Sequence, residues 1–187
     1  MGSIVSVFGW FSNCDDYAGV RGVTKNDRKA MRFDQSVPEP DEVVRLEPTR
    51  DANEAIGDFP NTGLAYPKCV SKRAFSALQA LLEPTGLLRR ADLEGLEYWL
   101  YWPDTVVDCL HYTASEILKM PSGYEQLITP VFHDSVGEAG PVFLVPQFRT
   151  QVLFVTEVFL ETARDSGLKG LELRQGGGAG AVVTRVG

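Results

Sequence analysis

One cysteine and one histidine of this chain are spaced in a way that would suit nucleophilic chemistry. Cys109 and His111 stand two positions apart in the run "DCLHYTAS" (108–115). If that run is a strand, both side chains point to the same face, where an imidazole can pair with a thiol. The sequence shows no third group that would orient the histidine. A small enzyme that uses Cys109 and His111 is therefore an alternative, and not the main interpretation.

The second histidine lies in "FHDS" (132–135), where His133, Asp134 and Ser135 are consecutive. Side chains of consecutive residues diverge, so these three cannot form a catalytic triad. Asp134 or Ser135 is better suited to a loop or to a helix N-cap. The carboxylates have no paired, apolar setting, and the three cysteines are widely spaced without a CxxC motif. We therefore predict no enzyme, no cofactor and no metal.

The distribution of charge favours a protein partner. The net charge is −7 and the pI is about 4.9, whereas a nucleic-acid-binding protein usually carries a positive balance. Residues 39–58 hold seven acidic residues against two arginines, which accounts for five of the seven net negative charges. This segment is either a solvated connection or an acidic surface that attracts a basic partner.

Two stretches of the chain repeat one pattern and predict two short helices. "VSKRAFSALQALLEPTG" (70–86) and "VTEVFLETARDSGLKG" (155–170) each combine a hydroxyl residue, apolar positions three and four apart, and a closing Gly–Leu. We predict helices over 71–83 and 156–166, capped by Ser71 and Thr156, with Gly167 in a left-handed conformation at the second C-terminus. The buried stripe of the second helix is predicted to contain Val158, Phe159 and Ala163. Helices this short need an apolar surface to lie on.

That surface is predicted to be a sheet. Runs rich in β-branched and aromatic residues span residues 4–11, 96–102, 105–112, 124–132, 140–148 and 170–175. Many strands flanked by few helices indicate an α+β fold. We predict a mostly antiparallel sheet with two short amphipathic helices packed on it and a long irregular N-terminal segment. The domain covers residues 1–175, and the Gly-rich tail 176–187 is expected to be flexible.

Three features of the sequence bear on the cellular location of the protein. The first residues, "MGSIVSVFGWFSN", lack the basic region and cleavage site of an export signal, and no apolar run is long enough to cross a bilayer. Unpaired cysteines fit a reducing compartment. We expect a cytoplasmic protein that is monomeric when free and that contacts neither membrane nor nucleic acid directly.

Four fragments, taken in order, resemble one bacterial family. They are "DFPNTGLAYPKCVSKRAFSAL", "YWLYWPDTVVDCLHYTAS", "ITPVFHDSVGEAGPVFLVPQF" and "VLFVTEVFLETARDSGLKGLELRQ". They resemble the immunity-protein-11-like family (domain of unknown function 1629) of polymorphic toxin systems, over about residues 58–175. The chain departs from the family at His111, where relatives often carry Asp, and over residues 12–57, which match poorly.

The resemblance implies that the protein binds a cognate toxin, for example a nuclease, and occludes its active site. An acidic inhibitor can be steered to a basic substrate cleft and cover it. The candidate toxin-binding residues are Asp15, Asp16, Glu39, Asp41, Glu42, Glu47, Asp51, Glu54, Asp58 and Trp102. Trp10, Trp99 and Tyr101 are further aromatic candidates, for which burial in the core is the competing explanation. A scaffold that self-associates through exposed strand edges is the second alternative.

Overall fold

The computed structural model describes residues 6–32, 37–49, 55–175 and 182–187, which form an α+β fold. The helices are α1 (Lys25–Ala30), α2 (Lys72–Leu82) and α3 (Glu157–Asp165). The strands are β1 (Val7–Ser12), β2 (Val20–Gly22), β3 (Val44–Pro48), β4 (Lys68–Ser71), β5 (Gly86–Leu93), β6 (Leu96–Pro103), β7 (Glu116–Lys119), β8 (Glu125–Thr129), β9 (Val142–Phe143), β10 (Phe154–Thr156), β11 (Leu171–Gln175) and β12 (Val182–Val186). In this part of the chain, no helix is long and apolar enough to span a membrane.

The strands form two five-stranded sheets and a separate hairpin. The first sheet has the order β12-β11-β1-β10-β9, and all its neighbours are antiparallel. The second sheet has the order β2-β3-β5-β6-β4, in which β3 and β5 are parallel and the other pairs antiparallel. Strands β7 and β8 form the hairpin. The predicted α+β class with mostly antiparallel pairing is confirmed.

The helices α2 and α3 belong to two units of the same topology. Helix α2 follows β4 directly and leads to β5, and α3 follows β10 directly and leads to β11. The strands on either side of α2 are both antiparallel to β6, which lies between them. The strands on either side of α3 are both antiparallel to β1 in the same way. The repeated sequence pattern therefore marks two split β-α-β units.

The two units share one hydrophobic core. Helices α2 and α3 pack on each other, and their buried faces meet the inner faces of both sheets. Trp10 of β1 is central to this core, because its ring lies 4.8 Å from that of Phe159 and 5.8 Å from that of Phe59. The same ring stacks on Tyr101 of β6 at 6.3 Å. The middle strands of the two units are thus joined through one aromatic pair.

Two further cores cover the outer faces of the sheets. One lies between the second sheet and α1 and includes Val20, Leu46, Leu93, Leu100 and Trp102. The other lies between the first sheet and the segment 107–152 and includes Val7, Cys109, Phe143, Phe148 and Phe154. The hairpin contributes Ile117 and Leu127 to its border.

The helix termini show one correct and one incorrect cap prediction. Ser71 caps α2, since its hydroxyl accepts a hydrogen bond from the Ala74 amide at 3.1 Å. Thr156 occupies the N-cap position of α3, but its side chain makes no capping hydrogen bond. Gly167 has the predicted positive φ, +61°. The predicted stripe of α3 is wrong at Val158, which is 46% exposed, while Phe159, Leu160 and Ala163 are buried.

Several strand predictions need correction. Residues 105–112 do not form a strand, since they make only the isolated bridges Val106–Leu144 and Leu110–Phe132. In the run 140–148 the regular strand is limited to β9, and Pro146 begins a 3-10 turn. The predicted runs also omit the strands β2, β3, β4, β5, β7 and β10. The tail contributes β12, which pairs with β11 where flexibility was expected, while residues 176–181 lie outside the described residues.

Candidate functional site

Three of the candidate carboxylates lie together on an exposed loop. Glu39, Asp41 and Glu42, here called the acidic turn, belong to the segment 37–43 that precedes β3. A hydrogen bond from the Glu42 amide to the Glu39 carbonyl, at 3.0 Å, closes the turn. Arg89 of β5 donates its Nε to the Pro38 carbonyl at 2.6 Å and fixes the loop to the second sheet. The three carboxylates are therefore held on a defined part of the surface.

The acidic turn borders a cavity and a basic helix. The cavity has a volume of about 320 Å³, and Lys29 of α1 lines it together with Glu39 and Glu42. No ion pair found within the described residues involves any member of the acidic turn. Within the described residues, the site therefore offers three carboxylates that make no ion pair, beside a recess that Lys29 also lines.

Three other candidate carboxylates form ion pairs with arginine side chains. Arg185 of β12 lies 2.6 Å from the Asp15 carboxylate and 3.8 Å from that of Asp16. Arg21 of β2 lies 2.9 Å from the Glu47 carboxylate. Such exposed ion pairs add little stability, but they compensate the charge that a partner would meet. Asp15, Asp16 and Glu47 are accordingly weaker candidates than the acidic turn.

Asp58 and Trp102 make contacts within the fold. The Asp58 carboxylate accepts hydrogen bonds from the Ser71 hydroxyl at 2.5 Å and from the Lys169 amide at 2.8 Å. Arg73 lies 3.3 Å from the same carboxylate. Trp102 is only 5% exposed and belongs to the core beside α1. We remove both from the candidate surface, and Asp51 and Glu54 lie outside the described residues.

The other aromatic candidates are also used in packing. Trp10 and Tyr101 are buried in the shared core. Trp99 is half-buried and stacks on Phe75 of α2, with ring centroids 4.2 Å apart. Burial in the core, the competing explanation, therefore accounts for Trp10 and Tyr101, while Trp99 remains partly accessible beside α2.

The contacts of Cys109 and His111 do not fit a nucleophile and its base. Cys109 is fully buried, and burial raises the pKa of its thiol to about 11. A reactive cysteine needs the opposite change, because the thiolate is the nucleophile. The side chain of His111 lies near Thr113, with 3.3 Å between its Nδ1 and the threonine hydroxyl. None of the hydrogen bonds found within the described ranges joins His111 to the Cys109 thiol.

The structure brings the two histidines together, which the sequence did not indicate. The rings of His111 and His133 stack with centroids 4.6 Å apart. The Leu110–Phe132 bridge explains this, because it aligns the two flanking segments of chain. In the part of the chain that the structure describes, no group of three or more His, Cys, Asp or Glu side chains could hold a metal ion. Among the residues searched, the histidine pair therefore has no third metal ligand beside it.

No family model matches the chain, and no curated protein matches it. The resemblance to immunity proteins therefore depends on the quoted sequence fragments. The chemistry of the surface supplies the remaining argument about function.

Proposed function

We propose that this protein is an immunity protein, which binds a cognate bacterial toxin in the cytoplasm of the producing cell and occludes its active site. The observation that carries the proposal is the acidic turn. Its three carboxylates are exposed, its backbone is fixed by hydrogen bonds, and no ion pair within the described residues compensates its charge. These are the properties of a surface that recognises a basic site on another protein.

The acidic turn acts first on the rate of association. Uncompensated charges attract an oppositely charged cleft over about 10 Å at moderate ionic strength. Val43, which follows the turn and is 44% exposed, supplies an apolar contact at short range. When a toxin binds here, this protein covers the toxin's substrate site, and the inhibition needs no chemical step by this chain. The buried thiol of Cys109 favours such binding over catalysis.

The first experiment tests protection and complex formation. We expect the reading frame immediately upstream to encode a large secreted protein with a C-terminal toxin domain. Cells that produce this toxin domain should survive when the full chain is produced with it, and the two proteins should purify as a complex. Killing that continues in the presence of soluble, folded chain, without a complex, contradicts the proposal.

A charge-reversal pair then tests the acidic turn. Reversal of its three carboxylates to Lys should slow association with the toxin domain about tenfold at low salt, because steering is lost. The matched control reverses Glu138, Glu161 and Asp165, which are exposed elsewhere and change the net charge equally. The control should slow association less than about twofold. Equal effects in stopped-flow measurements would show that net charge, and not the acidic turn, governs association.

A further inference from the structure

A second site lies on the opposite side of the first sheet from the helices. A groove of about 400 Å³ runs between this sheet and the hairpin β7–β8. Gly9, Phe11 and Val152 line it on the side of the sheet, and Tyr124, Gln126 and Ile128 line it on the side of the hairpin. Its volume is within the range of ligand-binding pockets in proteins. None of the acidic-turn residues lines it.

On the side of the groove formed by the sheet, side chains pack closely around Gly9. A Cβ atom at Gly9 would lie 2.9 Å from the Phe11 ring and 3.0 Å from a Val152 methyl group, so only glycine fits at this position without displacing its neighbours. Arg174 covers the Phe11 ring, with 4.5 Å between its guanidinium carbon and the ring centroid. Glu172 holds Arg174 by an ion pair of 2.6 Å. The groove therefore combines an apolar surface with a charge that is already compensated.

One glutamine side chain occupies the outer backbone edge of β8. The Gln151 amide oxygen accepts the Leu127 N–H at 3.3 Å, and its nitrogen donates to the Glu125 carbonyl at 2.5 Å. In a parallel pair of strands, a residue makes two hydrogen bonds that flank the residue opposite it. Its N–H donates to the carbonyl of the residue before that neighbour, and its carbonyl accepts from the N–H of the residue after that neighbour. The Gln151 side chain makes these two bonds around Gln126. The Gln151 side chain therefore occupies the position that one backbone residue of an added parallel strand would take beside β8.

We propose that this groove binds an extended peptide segment of a partner protein, which adds to the hairpin as a strand beside β8 and displaces the Gln151 side chain. The backbone groups at Glu125 and Leu127 supply main-chain recognition of the kind used in β-strand addition. Phe11, Ile128 and Tyr124, which is 52% exposed, supply contacts for apolar side chains at alternate positions of the peptide. This site is separate from the acidic turn and does not depend on the proposed function.

The experiment uses peptides with no assumption about the partner. Random peptides of about ten residues, displayed on phage, are selected against the full chain, and an enriched sequence is synthesised for fluorescence anisotropy. Two N-methylated forms block alternate backbone N–H groups. In one form, the blocked groups face β8, and binding should weaken at least about tenfold. In the other form, the blocked groups face solvent, and the affinity should change less than about twofold.

Variants of the protein test displacement of the side chain. Gln151→Ala should strengthen peptide binding about threefold to tenfold, because the competing amide is removed. Gln147→Ala is the matched control, since the Gln147 amide donates to Asp108 at 3.0 Å and Gln147 does not line the groove. Hydrogen exchange at the Leu127 amide should become faster in Gln151→Ala and slow again when the peptide binds.

Four results would overturn the proposal. They are the absence of any enriched peptide, equal binding by the two N-methylated forms, unchanged or weaker binding to Gln151→Ala, and a Leu127 amide whose exchange is indifferent to peptide. A dimer of this chain by light scattering, lost on addition of the peptide, would assign the groove to a second copy and would also contradict the proposal. Because the N-methyl groups are on the ligand, that test does not depend on how a variant folds.

Discussion

The two split β-α-β units differ in the origin of their middle strand. In the first unit, β6 follows β5 through a tight turn, so all the strands of the unit come from residues 68–103. In the second unit, β1 lies between β10 and β11, although it is far from them in the sequence. The same topology is thus reached through local pairing in one case and long-range pairing in the other. The second unit needs a strand from outside its own segment.

The largest effect is expected where the two middle strands meet. Trp10→Ala should lower the free energy of unfolding by about 3–5 kcal/mol, because it leaves a cavity among Phe59, Tyr101 and Phe159. Trp99→Ala, at a half-buried ring, should cost less than half as much. Urea denaturation measures both. Equal losses would mean that the aromatic pair does not join the units.

Asp58 links the two units from outside both of them. Its carboxylate bonds to Ser71 at the start of α2 and to the Lys169 amide before β11. Asp58→Ala should lower the free energy of unfolding by about 2–3 kcal/mol, because it leaves donors without their acceptor. Asp165→Ala, at an exposed position of α3, should change it by less than about 0.5 kcal/mol. A small loss of stability for Asp58→Ala in the same denaturation assay would show that Asp58 does not hold the two units together.

The strands that precede the helices differ in one buried charge. Counted back from the helix starts, Lys68 of the first unit corresponds to Leu153 of the second, and both are buried. Burial lowers the pKa of Lys68 to about 8 from its ordinary value of 10.5. The unfolded chain therefore binds more protons between these values, so stability should rise from about pH 8 to 10.5.

Lys68→Met tests this difference, since it keeps the length of the side chain without the charge. We expect it to stabilise the protein at pH 7 by about 1–2 kcal/mol and to remove the contribution of Lys68 to the rise at alkaline pH. The measurement is urea denaturation across this pH range. An unchanged slope of stability against pH in the variant would show that Lys68 does not titrate in the folded protein.

The smallest expected change in the free energy of unfolding concerns the N-cap residues of α2 and α3. Ser71→Ala should lower the free energy of unfolding by at least about 1 kcal/mol, because the Ala74 amide loses its acceptor and the Asp58 carboxylate loses one of its donors. Thr156→Val should change it by less than about 0.5 kcal/mol, since the Thr156 hydroxyl makes no capping bond. Thermal denaturation of the two variants side by side gives the comparison. Similar losses would show that Thr156 caps α3 in solution.

The sequence could predict the parts of the fold that depend on neighbouring residues. Ser71 and Gly167 mark a helix start and a helix end through local backbone chemistry, and both predicted helices are present. The run 105–112 has the composition of a strand, yet it buries Cys109 and Leu110 through single bridges. An apolar composition is shared by regular strands and by buried segments held through isolated bridges, so it could not distinguish them. The strand β12 was missed because its pairing with β11 is not visible in a Gly-rich tail.

The candidate site shows the same limit. Composition identified the acidic segment 39–58, but it could not tell which of its carboxylates are engaged in ion pairs or hydrogen bonds within the fold. Asp15 is paired with Arg185, which comes from the other end of the chain. Asp58 is used by Ser71 and Lys169, and neither contact follows from an acidic run. Only the tertiary contacts separate a charge available to a partner from a charge that serves the fold.

The position of β1 also sets an order of events on the ribosome. The second sheet is complete once β6 has emerged, whereas β1 is made first and has no partner until β10 and β11 follow. A nascent chain must therefore carry an apolar β1, with Phe8 and Trp10, through most of its synthesis. The strands of the second sheet can pair as they appear, whereas the first sheet forms only after β10 and β11 reach β1.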